Sequence, residues 1–224
     1  MRLSEKTTKI LQNFTSINQS LHFKEGNTLR TISVMKNVLA EAEIEEYIPR
    51  EFAIYDLPQF LNTLSLTNAA SIDVTTDHSH ALIRGNASNK TKFFFCDPSV
   101  IVAPPEKQMT LPSVDVEFML GEQDLRSLLK ASSIMQLPDL SVIGNGNTVE
   151  VVVSDRKNDT SNEFNLTVGQ TDNTFSFNFK IENIKTLIGG YHVSISKKNL
   201  AKFYSSAYKL TYFIALEPDS TFDE

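Results

Sequence analysis

The sequence has one cysteine and no tryptophan among its 224 residues. A single cysteine, Cys96, cannot form a disulfide within the chain, so stability must come from packed cores. No apolar run approaches the roughly 20 residues that cross a bilayer as a helix, and the first ten residues lack the apolar core of a signal peptide. These absences predict a soluble, cytoplasmic protein without a membrane partner. We expect the Cys96 thiol, in KFFFC, to be buried in a strand and unreactive.

Motifs that carry chemistry are equally scarce. The chain has four histidines, no phosphate-cradling GK[ST] loop and no nucleophile elbow. His78 and His80, with Asp77 nearby, are a conceivable metal pair, but a solvated hairpin loop is the simpler interpretation. The stretch GNGNTV begins like a dinucleotide loop, yet it lacks the third glycine and precedes a strand. We therefore predict a protein that is not an enzyme and has no metal or cofactor.

Net charge by itself argues against nucleic-acid binding. The formal charge is −6, from 21 Lys+Arg against 27 Asp+Glu, and phosphate contacts need cations. The distribution of charge, however, decides what one face can bind. Acidic residues collect in AEAEIEEY and in the tail EPDSTFDE, which leaves room for a positive face elsewhere.

One structural unit occurs twice. LSEKTTKILQNF and LGEQDLRSLLKASSI align at an offset of 117 residues, which places Glu5 on Glu122 and Lys9 on Arg126. Two further pairs of similar segments follow in the same order in both halves. EFAIYDLPQFLNTL and NFKIENIKTLIGG each suggest a strand and then a short helix, with N-caps at Asp56 and Asn183 and a helix end at Gly189-Gly190 in the second half. TKFFFCDPS and TYFIALEPDS each end a half with an aromatic strand.

The repeat predicts an α+β protein of two similar domains, residues 1–103 and 113–224. Each would have two helices packed on short antiparallel strands, and VIGNGNTVEV is typical of a hairpin. Pro104, Pro105 and Pro112 make residues 104–112 an extended connector.

Each long helix is predicted to have a buried face and a cationic face. The buried residues would be Leu3, Thr7, Ile10, Leu11 and Phe14 in the first helix and Leu125, Leu128, Leu129 and Ser132 in the second. The cations are Arg2, Lys6 and Lys9 in the first half and Arg126, Lys130 and Lys185 in the second. Most surface helices have a solvated polar face. An equivalent cationic stripe on both repeats of an acidic protein instead favours weak, salt-sensitive contact with a DNA backbone.

Several of these segments carry a family resemblance. LSEKTTKILQNF, FAIYDLPQFLNTLSL, VIVAP, EQDLRSLLKASSI and IALEPDST resemble the DNA sliding clamps of large tailed bacteriophages, the processivity factors of phage DNA polymerases. The resemblance covers most of the chain and is weakest over residues 71–92 and 148–174. It implies the DNA clamp fold, with three subunits joined head to tail in a ring of six domains and the helices lining the hole. EFNLTV and KFFFC are the candidate edge strands for joining subunits.

The resemblance also implies roles for residues. Arg2, Lys6, Lys9, Arg126, Lys130 and Lys185 would face duplex DNA without reading its sequence. A groove for short hydrophobic partner tails would be lined by Leu39, Ile101, Val102, Pro104, Leu111, Ile214, Leu216 and Pro218. The implied partners are the replicative polymerase, a separate ATP-dependent clamp loader and late transcription proteins, all in the cytoplasm of the infected host.

The sequence departs from the relatives in its ending, TFDE, and in having no tryptophan. An alternative function is a β-rich structural or assembly protein of a virion. That class accounts for the strands and the acidity but leaves the paired cationic helices unexplained.

Overall fold

The computed structural model describes residues 1–66, 71–75, 79–85 and 89–223. The chain forms two compact units: Met1–Gln108 with Ala207–Leu210, and Met109–Ser206 with Thr211–Glu224. The chain first passes between units at Gln108–Met109, inside the stretch predicted as a connector. Across the described residues, no helix combines the length and apolar character that a membrane span requires.

The first unit combines two helices with short antiparallel strands. Its elements are α1 (Glu5–Phe14), β1 (Leu21–Phe23), β2 (Gly26–Ile32), β3 (Val38–Ile48), β4 (Phe52–Ile54), α2 (Leu57–Leu66), β5 (Ser71–Val74), β6 (His80–Arg84), β7 (Lys90–Phe94) and a 3-10 turn at Pro98–Val100. Strand β1 pairs with β4, and β2 pairs with β3. Strands β5, β6 and β7 form a three-stranded sheet in which β7 is an edge, as predicted for KFFFC.

The second unit repeats the design with more strands. Its elements are β8 (Val116–Leu120), α3 (Glu122–Met135), β9 (Asp139–Asn145), β10 (Thr148–Ser154), β11 (Phe164–Gln170), β12 (Thr174–Lys180), α4 (Ile181–Ile184), β13 (Tyr191–Ser196), β14 (Leu200–Ser205), β15 (Leu210–Ala215) and β16 (Thr221–Asp223). One sheet has the order β11-β10-β9-β12-β16, and β15, β14, β13 and β8 are successive neighbours in another. Strand β11, the predicted EFNLTV, is therefore an edge. Two helices on antiparallel sheets in each unit confirm the α+β prediction.

Helix α1 forms because its capping and its apolar spacing agree. Ser4 is the N-cap, and its hydroxyl accepts a hydrogen bond from the Thr7 amide at 3.2 Å. Thr7, Ile10, Leu11 and Phe14 are buried, and the helix packs on α2 and β3. The predicted stripe is confirmed for these four residues, whereas Leu3 precedes the helix and is half-buried.

Helix α3 begins at Glu122, which is 117 residues after the start of α1. Leu125, Leu128 and Ser132 are buried as predicted, Leu129 is half-buried, and the helix packs on β10 and β11. It ends at Met135, and the next residue, Gln136, has a φ of 56° in the left-handed region. The repeat seen in the sequence is therefore a repeat of structure.

The two short helices differ at their starts. Asp56 caps α2 as predicted, because its Oδ1 accepts from the Gln59 amide at 2.7 Å. The predicted cap at Asn183 is wrong: α4 begins at Ile181, and Asn183 is buried inside it. The Ile181 amide donates to the Pro138 carbonyl at 2.9 Å, so a neighbouring loop supplies the acceptor and no side-chain cap is needed. The predicted end at Gly189-Gly190 is also wrong, because the helix stops at Ile184.

Two other local predictions have different outcomes. The GNGNTV stretch is the turn of the β9–β10 hairpin, where Asn145 Oδ1 accepts from the amides of Asn147 and Thr148; the hairpin prediction is confirmed. Cys96, expected to be buried in a strand, is instead half-buried and lies after β7 in an isolated bridge to Ala53. Burial raises the pKa of the Cys96 thiol, which disfavours the thiolate.

Candidate nucleic-acid interface and partner surface

The start of α1 is anchored on both sides of Arg2. The Met1 ammonium donates to the Ile72 carbonyl at 2.7 Å, and the Ile72 amide donates to the Met1 carbonyl at 2.7 Å. On β3, the Glu46 carboxylate accepts from the Ser4 amide and, at 2.5 Å, from the Thr7 hydroxyl. Although burial by itself raises the pKa of Glu46, the hydrogen bonds from Thr7 and Ser4 lower it below its ordinary value. These contacts fix Met1 on β5 and the first turn of α1 on β3, next to Arg2 and Lys6 in the chain.

Neutralising Glu46 should loosen the start of α1. We expect Glu46→Gln to lower the free energy of unfolding at pH 7 by about 1 kcal/mol, because a charge-assisted hydrogen bond becomes a neutral one. The lowered pKa of Glu46 means that its contribution is present above the ordinary carboxyl pKa of about 4.5 and is lost as the pH falls through the folded value. The melting temperatures of the two proteins, measured from pH 7 to pH 3, should therefore differ most at pH 7, and the difference should shrink as the pH falls below about 4.5. A constant difference across this range would contradict the assignment.

The cations of α1 are available to a ligand. Arg2 and Lys9 are exposed and Lys6 is half-buried. In the part of the chain that the structure describes, no carboxylate forms an ion pair with any of the three. Their charge is therefore not neutralised locally.

The second unit presents the equivalent cations on and near its helices. Arg126 is exposed, with its Nη2 2.5 Å from Glu122 Oε1, one turn earlier on α3. Such an exposed i, i+4 pair contributes only about 0.3–0.5 kcal/mol, so a phosphate can replace the carboxylate. Lys130 on α3 and Lys185, at the end of α4, are exposed, and neither is ion-paired within the described ranges.

Many cations outside the helices are instead held by acids. The ion pairs are Lys24–Glu106, Arg30–Glu41, Arg84–Asp73, Arg156–Asp219, Lys180–Asp139 and Lys209–Glu43. The Lys180–Asp139 pair measures 2.6 Å, and the Asp139 side chain is almost fully buried. Arg2, Lys6, Lys9, Lys130 and Lys185 differ from these cations, because none of the five is ion-paired within residues 1–66, 71–75, 79–85 and 89–223. This difference could not be predicted from the sequence.

Helix α2 adds no cation, as predicted. Its exposed side includes Gln59, Asn62 and Ser65, which line an open, shallow cleft of about 650 Å³ together with Pro58 and Leu66. Amides and hydroxyls can still hydrogen-bond to phosphate oxygens or to water, so this helix offers neutral contacts.

The candidate His78–His80 metal pair lies partly outside the residues that the structure describes. His78 lies outside the described residues. His80 contacts the Ser79 hydroxyl at 2.7 Å, and its ring centroid lies 5.7 Å from that of Phe94. Within the described ranges, no group of three or more His, Cys, Asp or Glu side chains could hold a metal ion.

The eight residues predicted to line a partner groove differ in exposure. Val102 and Pro218 are exposed, and Ile101, Pro104 and Leu111 are half-buried. Leu39, Ile214 and Leu216 are buried, with at most 6% of their surface exposed. The five accessible residues can contact a partner directly, whereas the buried three belong to the cores beneath.

Asn18 is a contributor that sequence reasoning missed. Its buried side-chain amide donates to the Ile32 carbonyl at 3.0 Å and to the Val102 carbonyl at 3.1 Å. The residue therefore ties Val102 to the end of β2. Nothing near Asn18 in the sequence signals this, because Val102 is 84 residues away.

Comparison with known proteins gives consistent matches over the whole chain. The family model for DNA polymerase processivity factors matches residues 3–103, and the model for the C-terminal part of gp45 sliding clamps matches residues 117–218. The sliding clamp of Enterobacteria phage T4 is 32% identical over 234 residues, covering 100% of both chains. The sliding clamp of Vibrio phage KVP40 is 30% identical over 97% of this chain and 99% of its own.

Solved structures share the fold at lower identity. Proliferating cellular nuclear antigen from Entamoeba histolytica has a TM-score of 0.70 at 14% identity and covers 96% of this chain and 97% of its own. The PCNA of A. fulgidus, solved with the C-terminal region of FEN-1 bound, has a TM-score of 0.70 at 12% identity and covers 98% of both chains.

Proposed function

This chain belongs to the sliding-clamp family of DNA polymerase processivity factors, and from that premise we propose how its residues perform the task. Three copies close head to tail into a ring, and Arg2, Lys6, Lys9, Arg126, Lys130 and Lys185 face the duplex. The observation that carries the proposal is that helices starting 117 residues apart in the two units present cations, and most of these form no ion pair with an acid among the described residues.

The contacts would be to phosphate and largely through water. Lysine and arginine on a helix can reach phosphates. The cation–aromatic contacts found in the described part of the chain involve Lys92, Lys197 and Lys202 and none of these cations, so the proposed contact carries no sequence information. Each contact is weak and salt-dependent. Weak, equivalent contacts allow the ring to move along DNA without a preferred position, while acids elsewhere repel DNA from other surfaces.

Ring closure would use one edge strand from each unit. Strand β7 is an edge in the first unit and β11 is an edge in the second, and a head-to-tail ring joins two different surfaces at each interface. Because a closed ring must be opened to admit DNA, a separate ATP-dependent clamp loader is a required partner. The protein would act in the cytoplasm of the infected host and is not itself an enzyme.

The polymerase would be held through a short hydrophobic tail. The candidate docking residues are the accessible members of the predicted groove, Ile101, Val102, Pro104, Leu111 and Pro218, and late transcription proteins are further candidate partners. A structural relative, the PCNA of A. fulgidus, was solved with the C-terminal region of FEN-1 bound, which supports recognition of a chain end by this fold.

The first experiment is native mass by light scattering over a dilution series, followed by primer extension with the cognate polymerase and loader. A species of three chains that dissociates to single chains, and that lengthens the products of each binding event, is expected. A strict monomer at tens of micromolar, or absence of any effect on product length, would leave the structural-protein alternative.

A charge at the docking surface should uncouple the clamp from its polymerase. We expect Val102→Asp to weaken binding of a peptide from the polymerase carboxyl terminus at least about 10-fold, because burying an unpaired carboxylate costs more than the lost contact. Val114→Asp is the matched control, since Val114 is also exposed but lies outside the predicted groove. Isothermal titration of both variants measures the effect, and equal loss in both would place docking elsewhere.

A further inference from the structure

Arg30 on β2 donates hydrogen bonds to the backbone of the chain segment that leads into the second unit. Its Nη1 donates to the carbonyls of Pro105 at 2.8 Å and Glu106 at 3.5 Å, and its Nη2 donates to the Lys107 carbonyl at 3.4 Å. The Arg30 side chain is only 19% exposed. One guanidinium thus contacts three successive carbonyls, a pattern that needs its planar fork of donors.

Neighbouring side chains orient this guanidinium. Glu41 Oε2 lies 3.1 Å from Arg30 Nε, and Gln108 Nε2 donates to Glu41 Oε1 at 3.5 Å. A second pair, Lys24–Glu106 at 2.8 Å, is far more exposed and therefore weak. Arg30 and Glu41 are the inner, better shielded part of this contact.

The segment has few other means of attachment. Pro104 and Pro105 have no amide hydrogen to donate, and an extended, proline-rich backbone makes no internal hydrogen bonds. A cleft of about 570 Å³ is lined by His22, Lys24, Glu25, Thr28, Arg30, Pro98, Ser99, Ala103, Pro104 and Glu106. The segment therefore borders an open cleft, and the hydrogen bonds from Arg30 attach its backbone to β2.

We propose that Arg30 is a positioning residue: it fixes Pro105–Lys107 on β2, so that the adjoining Ile101–Pro104 stretch presents a preformed surface to partner tails. Asn18 fixes the other end of that stretch at Val102. A preordered surface loses less conformational freedom on binding than a mobile one. The inference rests on the docking surface proposed above.

The role of Arg30 in fixing this segment can be tested by limited trypsin digestion, without any partner. The bond after Lys107 is the trypsin site within the segment, and its carbonyl is one that Arg30 binds. We expect Arg30→Gln and Arg30→Lys each to accelerate cleavage at Lys107 about 10-fold or more, because neither side chain can replace the three-carbonyl fork. Lys24→Gln should change it less than about 2-fold. The masses of the fragments identify the cleavage site. The double variant Arg30→Gln, Glu41→Gln is a further control, because it removes both charges and leaves no unpaired carboxylate at Glu41.

The proposed effect on partner binding is tested by measuring the affinity of this protein for a peptide from the polymerase carboxyl terminus. Both Arg30 variants should weaken this affinity several-fold, while the native mass and the total helix content measured by circular dichroism stay unchanged. An unchanged rate of cleavage after Lys107, or cleavage of Arg30→Lys at the wild-type rate, would show that Arg30 does not fix the segment. Faster cleavage with unchanged peptide affinity would overturn the positioning role. If Val102→Asp also leaves affinity unchanged, the docking surface itself has failed, which is a separate result.

Discussion

The double variant Lys9→Glu, Arg126→Glu is expected to lose nearly all productive association with duplex DNA. Each substitution removes one cation and adds one anion on a helix that the proposal places against phosphate. In a three-subunit ring both changes occur in every subunit, so six contacts disappear together. Since each phosphate contact contributes about 0.9 to the slope of log affinity against log salt, the slope should fall by about 5. At 0.1 M salt we expect at least about 100-fold weaker retention on closed circular DNA.

The measurement is loader-dependent retention of the ring on circular DNA across a salt series, with processivity as a second readout. Lys157→Glu, Lys198→Glu is the matched control, because it makes the same change in charge at two exposed lysines on loops. Native mass must be unchanged in both variants. Equal losses of DNA retention in the two double variants would mean that only net charge matters. Full retention by the Lys9→Glu, Arg126→Glu variant would show that α1 and α3 do not face the DNA.

The features that sequence could predict are those that depend on neighbours along the chain. The buried stripe Thr7, Ile10, Leu11, Phe14 follows from helical periodicity, and the turn at Gly146-Asn147 follows from local turn chemistry. The edge positions of β7 and β11 also match the prediction, which came from the family resemblance and not from the local pattern.

The features that sequence missed depend on partners far along the chain. Asn183 has the residue type of a helix cap, yet the Pro138 carbonyl, from a different loop, decided where α4 begins. Glu46 looked like part of an acidic surface strand, but it meets Ser4 and Thr7, about 40 residues away. Nothing beside Arg30 in the sequence indicates its role, because the carbonyls it binds lie 75 to 77 residues later.

Charge was the least predictable property of the site. The sequence shows 21 cations without indicating which are neutralised. The structure shows Lys180 held 2.6 Å from a buried carboxylate, while Lys9 and Lys130 have no ion-pair partner among the described residues. Because a paired cation attracts phosphate less than an unpaired one, the pairing pattern separates candidates that composition treats as equal.

Assembly should depend on an exposed aromatic at the edge of the first unit. Phe94 is 64% exposed at the end of edge strand β7, and Lys92 Nζ lies 4.7 Å from its ring centroid. Exposed edges that pair with no strand invite association, and buried aromatics dominate the energetics of interfaces. We therefore expect Phe94 to be buried between subunits in the closed ring.

Phe94→Asp should convert the three-chain species to single chains. Losing a central aromatic typically costs at least about 2 kcal/mol per interface, roughly 30-fold in affinity, and burying the new carboxylate costs more. Light scattering over a dilution series should show single chains at concentrations where the wild type is a trimer, with unchanged circular dichroism. Tyr47→Asp is the matched control, because Tyr47 is a strand aromatic of similar exposure, 61%, and β7 does not contain it. A trimeric Phe94→Asp would place the subunit interface away from the end of β7, whereas single chains in both variants would show that charge, and not this edge, governs assembly.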